Sequence, residues 1–310
     1  MWDRLDQIDW KSLGYHVYGN NDAIPEQIRC LLSDDPELRE AARDFLLGGG
    51  QDFGDIYDTT PAILPFLFEY LAHPDLPDRV ALIYHLSGVA VYRLYARHLS
   101  IHMMRLCLQT YDAFKAALPS LFSLLHDELA EVRIAAAHLL QYLTDEVDTL
   151  IPQLCEHLKT EQDETVQLAL LTTLKVLLKS LEWPRYQLME EYRPFFNSIV
   201  ERHTSHKIRV AAARAAIETL HPLFYDRDLP LSSMVPTLLI QEFLDHVMNA
   251  NQHRDTLRYY HDLQDLVKDL AMMPSGPLLT LLKNPVVKEV EAHIIARGLL
   301  AHSLLVINVN

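Results

Sequence analysis

The chain has 310 residues, 49% hydrophobic and 22% charged, which gives apolar surface enough for a sizeable core and excludes a disordered tail. Its formal net charge of −15 opposes binding to DNA, RNA or an anionic membrane surface unless basic residues gather locally, so a protein partner with a basic face is the default expectation. Cys30, Cys107 and Cys155 are few, odd in number and set among apolar residues, which argues for buried thiols in a reducing compartment. The start, Met1-Trp2-Asp3-Arg4, lacks a charged-then-apolar leader, and no apolar run reaches the ~18 residues of a bilayer span, so a cytoplasmic protein without membrane contact is expected.

Residues 1–23 place Trp2, Leu5, Ile8, Trp10 and Leu13 near helical spacing, as a cap over the open end of a helical stack would. From residue 24 a frame recurs in which a proline is followed fourteen residues later by arginine and then by alanine. It runs Pro25/Arg39/Ala41/Ala42, Pro65/Arg79/Ala81 and Pro119/Arg133/Ala135/Ala136, and returns with one extra residue as Pro194/Arg209/Ala211/Ala212. The first unit has one helix through Ile28, Leu31 and Leu32, a turn at Ser33-Asp34-Asp35-Pro36, and a second helix through Leu38, Ala41, Ala42, Phe45 and Leu46. Pro36 fits the first turn of that helix, Asp34 or Asp35 can cap it, and Gly48-Gly49-Gly50 stops it. Unit two begins between Pro61 and Pro65 and continues past His73-Pro74-Asp75 through Val80, Ile83, Leu86 and Ala90. Unit three has Leu118, Leu121, Leu124 and Leu125 before His126-Asp127, and Val132, Ala135, Ala136, Leu139 and Leu140 after it. Unit four pairs residues 151–158 with 166–178 and has Val166 where the frame puts arginine; unit five pairs 195–200 with 208–220. Residues 223–310 read as degenerate repeats and a terminal cap, with a last helix pair over 278–305 broken at Asn284-Pro285.

The run Leu118-Pro119-x-Leu121-x-x-Leu124-Leu125-x-Asp127, followed by Glu131-Val132-Arg133-x-Ala135-Ala136-Ala137, resembles the HEAT repeat, and the likeness recurs over residues 24–222. Ile24-Pro25, Asp34-Asp35, Arg39, Ala42 and Tyr57-Asp58-Thr59-Thr60-Pro61-Ala62-Ile63-Leu64-Pro65 resemble a set of bacterial HEAT-repeat proteins in particular. The resemblance implies an all-α fold: a single right-handed α-solenoid of about six to seven helical hairpins spanning residues 1–310. It also implies a scaffold that binds other macromolecules, some relatives being antidotes to toxins or accessory proteins. The recurring arginines, Arg39, Arg79, Arg133 and Arg209, then resemble structural residues that pair with a turn aspartate of their own or the next repeat.

Between units two and three the proline spacing grows to 54 residues, Pro65 to Pro119, against 33 from Pro119 to Pro152, so an insertion is expected near residues 91–117. From residue 80 to 126 Arg93, Arg97, Arg105 and Lys115 face a single carboxylate, Asp112. Ile101, Met104, Leu108 and Tyr111 form an apolar stripe and His98, His102, Arg105, Gln109 and Asp112 a polar one, with Tyr84, Tyr92 and Tyr95 upstream. Such a surface receives an anionic group or an acidic segment of a partner, or else it is a solvated face whose cations pair with acids of adjacent repeats.

His98 and His102 lie four residues apart, and His203 and His206 three, yet no further ligand completes either pair, so no metal is expected. Gly48-Gly49-Gly50 lacks the lysine and hydroxyl of a phosphate loop, Asp52, Asp55 and Asp58 lack calcium-loop spacing, and no catalytic set or cofactor motif stands out. Two classes of function follow. One is a non-catalytic protein-binding scaffold, of the antidote kind for a basic partner, with His138, Gln141, Tyr142, Glu218 and the acids of residues 161–164 on its inner face. The other is an enzyme or small-ligand binder that holds an anionic ligand in a pocket at Tyr92, Arg93, Arg97 and His98.

Overall fold

The computed structural model describes residues 2–14, 19–48, 56–73, 76–92, 100–181, 187–220, 234–235, 237–239 and 241–242. Among them every regular element is helical and there is no strand. The chain divides into two compact units, Met1–Leu181 and Glu182–Asn310. The expectations for Gly49, Gly50 and residues 243–310 lie outside the described residues, as does the side chain of Trp2.

The first unit opens with α1 (Trp2–Gln7), and helical turns at Trp10–Ser12 and Asn21–Ala23 follow it. Leu5 is fully buried, and the Trp10 indole N–H donates to the Leu5 carbonyl at 2.9 Å while its ring lies 6.2 Å from that of Phe66. Arg4 stacks over the same Phe66 and pairs with Glu69. The Asn21 amide donates to the carbonyls of Trp10, Leu13 and Gly14 at 3.1, 2.9 and 2.9 Å, satisfying backbone acceptors that lie beyond the end of α1.

Three hairpins come next, α2 (Ile24–Cys30) with α3 (Pro36–Leu47), α7 (Leu118–Leu124) with α8 (Ala130–Leu140), and α9 (Val147–Thr160) with α10 (Glu164–Lys179); α4 (Thr60–Leu71) and α5 (Arg79–Tyr92), expected to pair as unit two, pack chiefly on other helices, α5 on α3 and α8. Pro25, Pro36, Pro61 and Pro119 sit in the first turn of their helices, where a missing N–H leaves no ladder bond unmade. Asp35, and not Asp34, caps α3 by accepting from the Glu37 amide at 2.9 Å, and Gly48 ends it at φ 85°. The second helices pack in succession, α3 on α5, α5 on α8 and α8 on α10. Ala135, Ala136 and Ala137 are fully buried on α8, and the Thr173 hydroxyl of α10 donates to the Ala137 carbonyl at 2.8 Å, an approach that a larger side chain would block. Of the three cysteines, Cys107 and Cys155 are buried as expected, while Cys30 at the end of α2 is half-buried.

Among the described residues of the insertion expected near residues 91–117 is a four-turn helix, α6 (Ile101–Ala116), packed on α4 through an edge-to-face contact of Phe114 with Phe68 at 5.2 Å. In the second unit α11 (Gln187–Arg202) packs on α12 (His206–Leu220), where Ala212, Ala213, Ala215 and Ala216 are buried.

Arg39, Arg79 and Arg133 each tie their helix to the turn of a neighbouring unit. Arg133 gives Nη1 to the carbonyls of Asp127 and Glu128 in its own turn, at 2.8 and 3.1 Å, and grips Glu161 of the next turn through Nε and Nη2 at 2.9 and 3.2 Å. Arg39 does the same with the carbonyls of Ser33 and Asp34 and the carboxylate of Asp78, and Arg43 reaches that carboxylate too. Arg79 holds Asp127 with both terminal nitrogens. Arg209, in the second unit, donates Nε to the Val200 carbonyl at 2.7 Å. Unit four continues the frame one residue later than its sequence suggests: Gln167, not Val166, sits six residues after Glu161 and donates to its carbonyl at 2.7 Å, as Arg133 does to that of Asp127.

This service rotates α3. On it Leu38, expected in the core, is exposed, and so is Ala41, while Ala42, Arg43, Leu46 and Leu47 form the buried face; Leu32, also expected in the core, is exposed on the turn after α2. Turning Arg39 and Arg43 toward Asp78 swings the opposite side of the helix into water. Asp78 itself takes φ 57°, a left-handed conformation that few residues with a side chain adopt.

Arg133 and Glu161 have side chains only 14% and 6% exposed, so cutting one partner strands a poorly solvated charge. Arg133→Ala is expected to lower unfolding free energy by about 3 kcal/mol in urea titrations. Arg133→Lys is expected to fall in between, because an ammonium cannot serve two carbonyls and a carboxylate together.

Candidate functional site

The helix outside the repeat frame is α6, and its placement follows from its caps and its two apolar rows. Ser100 caps it by accepting from the Met103 amide at 3.3 Å. Leu106, Cys107, Thr110, Tyr111 and Phe114 are buried. Of the apolar stripe read from the sequence, only Tyr111 joins them: Ile101, Met104 and Leu108 are 83%, 41% and 58% exposed. Both rows have helical spacing, and contact with Phe68 of α4 selects the one that contains Phe114.

Both ends of α6 are tied down. At its C-terminal end the Tyr111 hydroxyl accepts from the Asp145 amide at 3.2 Å, and Lys115 pairs with Glu146 at 2.8 Å. Glu146, Asp112 and Asp145 all act on that ammonium and raise its pKa. At the N-terminal end His102 Nε2 lies 2.7 Å from Asp58 Oδ1, on the turn before α4. The Asp58 carboxylate rests against Gly14, where an added Cβ would come within 2.1 Å of Oδ2.

Of the residues expected to hold an anion, Arg93, Arg97, His98 and the side chain of Tyr92 lie outside the described residues. His102 and Arg105 are both exposed on α6, but the Asp58 carboxylate already occupies His102 and sets a negative charge where an anion would approach. Asp58 gave no sequence signal of this role, because pairing with His102 spans two elements.

The inner-face candidates divide. His138 is half-buried on α8, and burial lowers its pKa; Gln141 and Tyr142, just past that helix, are half-buried as well. Glu161 is buried and taken up by Arg133 and by the amides of Gln162 and Asp163, while Asp163 caps α10 through the amides of Thr165 and Val166. Glu218 is half-buried on α12, in the second unit. His203 accepts from the Ser205 amide and His206 pairs with Glu242, so the two histidines serve different partners. Among the described residues no group of three histidine, cysteine or carboxylate side chains could hold a metal ion.

A titratable node lies beside the Arg133 clamp. The His157 ring meets that of His126 edge-on at 4.8 Å, and its Nε2 is 3.6 Å from a Glu161 oxygen already engaged by Arg133. Burial, His126 and the Arg133 guanidinium hold His157 below its ordinary value of 6.5, against the pull of Glu161. A lowered folded pKa means that protons bind the unfolded chain first. Stability is therefore retained above about pH 6.5 and lost as pH falls below it, before the depressed carboxylates of Asp127 and Glu161 titrate. His157→Gln is expected to flatten the decline in urea midpoint between about pH 7 and pH 5. The remaining slope in that range is expected to follow His138.

Among the described residues no helix is long and apolar enough to cross a membrane. Comparison of the chain with protein-family models and with curated proteins finds no match in either.

Proposed function

We propose that the chain is a non-catalytic protein-binding scaffold of the HEAT-repeat kind, a right-handed α-solenoid of six to seven hairpins that holds a basic partner. The observation that carries it is the exposed face of α6, where Ile101, Met104 and Leu108 stand in water on a helix that the repeat frame does not require. Covering side chains of this size is worth roughly 1.5–3 kcal/mol each, and clustered exposure of this kind marks an interaction surface. The successive packing of α3, α5, α8 and α10 supports the solenoid, and the net charge of −15 supports a basic partner and an antidote-like role. The thiols of Cys30, Cys107 and Cys155 support residence in a reducing cytoplasm.

Tagged protein carrying Ile101→Glu and Leu108→Glu tests this proposal. Wild type is expected to retain a partner from native lysate, releasing it as salt rises, and the double variant is expected to lose it with an unchanged melting temperature. A partner held equally by both proteins, or by neither, would remove the proposal.

A further inference from the structure

The His157 side chain is only 9% exposed on α9, and among the described residues neither of its ring nitrogens has a hydrogen-bond partner. A neutral imidazole carries one donor and one acceptor, so both go unmet in the closed structure. The carboxylate nearest to it is fully engaged. Glu161 Oε2 accepts from Arg133 Nε at 2.9 Å, and Oε1 accepts from Arg133 Nη2 and from the amides of Gln162 and Asp163 at 3.2, 2.8 and 2.9 Å. Four donors match the lone-pair sites of a carboxylate. A charged His157, with Nε2 3.6 Å from Oε2, therefore gains that oxygen only by dislodging Arg133.

Charge leads to the same point. The groups that act most strongly on His157 are His126, edge-on at 4.8 Å from the turn between α7 and α8, Glu161 at the end of its own helix, and Arg133 of α8. The charged residues of α10, Glu164, Lys175 and Lys179, and of the turn before α9, Asp145 and Glu146, contribute less. With both imidazoles neutral, one guanidinium faces one carboxylate; with both charged, three cations face it where water screens poorly. His126 is exposed and can move away, whereas His157 cannot unless the end of α9 leaves α8. The bond from the Thr173 hydroxyl to the Ala137 carbonyl, which joins α10 to α8, involves no group that titrates.

We infer that the contact between the α7–α8 turn and the end of α9 is a proton-operated latch: neutral His157 leaves Glu161 to Arg133 and keeps it shut, and charged His157 opens it. The turn that carries Glu161 then swings from the start of α8 about the Thr173–Ala137 contact, while α5 and the body of α10 stay folded. Burial keeps the closed-state His157 below its ordinary value, so protons bind the open form first and opening grows as pH falls through about 6.5. The event is local and precedes loss of the whole unit.

The test is hydrogen exchange on the full chain, read by mass spectrometry from about pH 7.5 to about pH 5.5 and corrected for the intrinsic pH dependence of exchange. Protection of residues 158–163, which include the Gln162 and Asp163 amides held by Glu161, is expected to fall by up to about tenfold per pH unit, the slope of one proton. Over the same range α5 and the interior of α10 are expected to keep theirs. His157→Gln is expected to abolish the local slope and His126→Gln to reduce it. Should His157→Gln melt early, wild type alone decides: protection lost evenly from residues 158–163 and from α5 is global unfolding and overturns the inference. A local slope that persists in His157→Gln, or that wild type lacks, overturns it as well. Partner binding plays no part in these measurements, so either result leaves the scaffold proposal as it stands.

Discussion

The arrangement of the first unit depends on the guanidinium fork. Arg133 spends one nitrogen on the carbonyls that end its own turn and two others on the carboxylate of the following turn, so a single side chain fixes both the local bend and the distance to the next hairpin. Packed alanines alone would let α8 slide along its neighbours, because apolar contact has no direction. The fork supplies direction: two carbonyls and two carboxylate oxygens admit one orientation. That geometry in turn buries Glu161 and sets His157 beside it.

The same interactions change how the acidity of the chain should be understood. Asp78, Asp127 and Glu161 are matched by arginines, Asp35 and Asp163 close helix ends, and Glu146 holds Lys115. Net charge counts all of them alike, yet a carboxylate already engaged contributes far less to attraction at a distance than one in water. The acidic character that a partner would meet is therefore local.

Much of this was legible in the sequence, and the exceptions have physical causes. The helices, the capping of α3 and the arginine frame follow from periodicity and from backbone chemistry local to each turn, whereas the frame prolines Pro65 and Pro194 lie inside α4 and α11, not at their starts. The frame shifts by one residue at Gln167 because a glutamine amide can imitate one part of an arginine, and residue type alone does not reveal the imitation. Leu38 falls outside the core because apolar spacing cannot tell which side of a helix an ion pair will claim, and Leu32 because α2 ends before it, at Cys30. The choice between two apolar rows on α6 lies with Phe68, far away in the chain, and the pairing of His102 with Asp58 is hidden for the same reason.

Asp78 concentrates two demands on one position. Its backbone sits at φ 57°, and its carboxylate serves Arg39 and Arg43 together. Glycine and asparagine accept the conformation but carry no charge; glutamate carries the charge but tolerates the conformation poorly and reaches too far. Among the twenty amino acids, aspartate alone meets both requirements. The junction between α3 and the turn before α5 therefore leaves evolution almost no alternative spelling at that site.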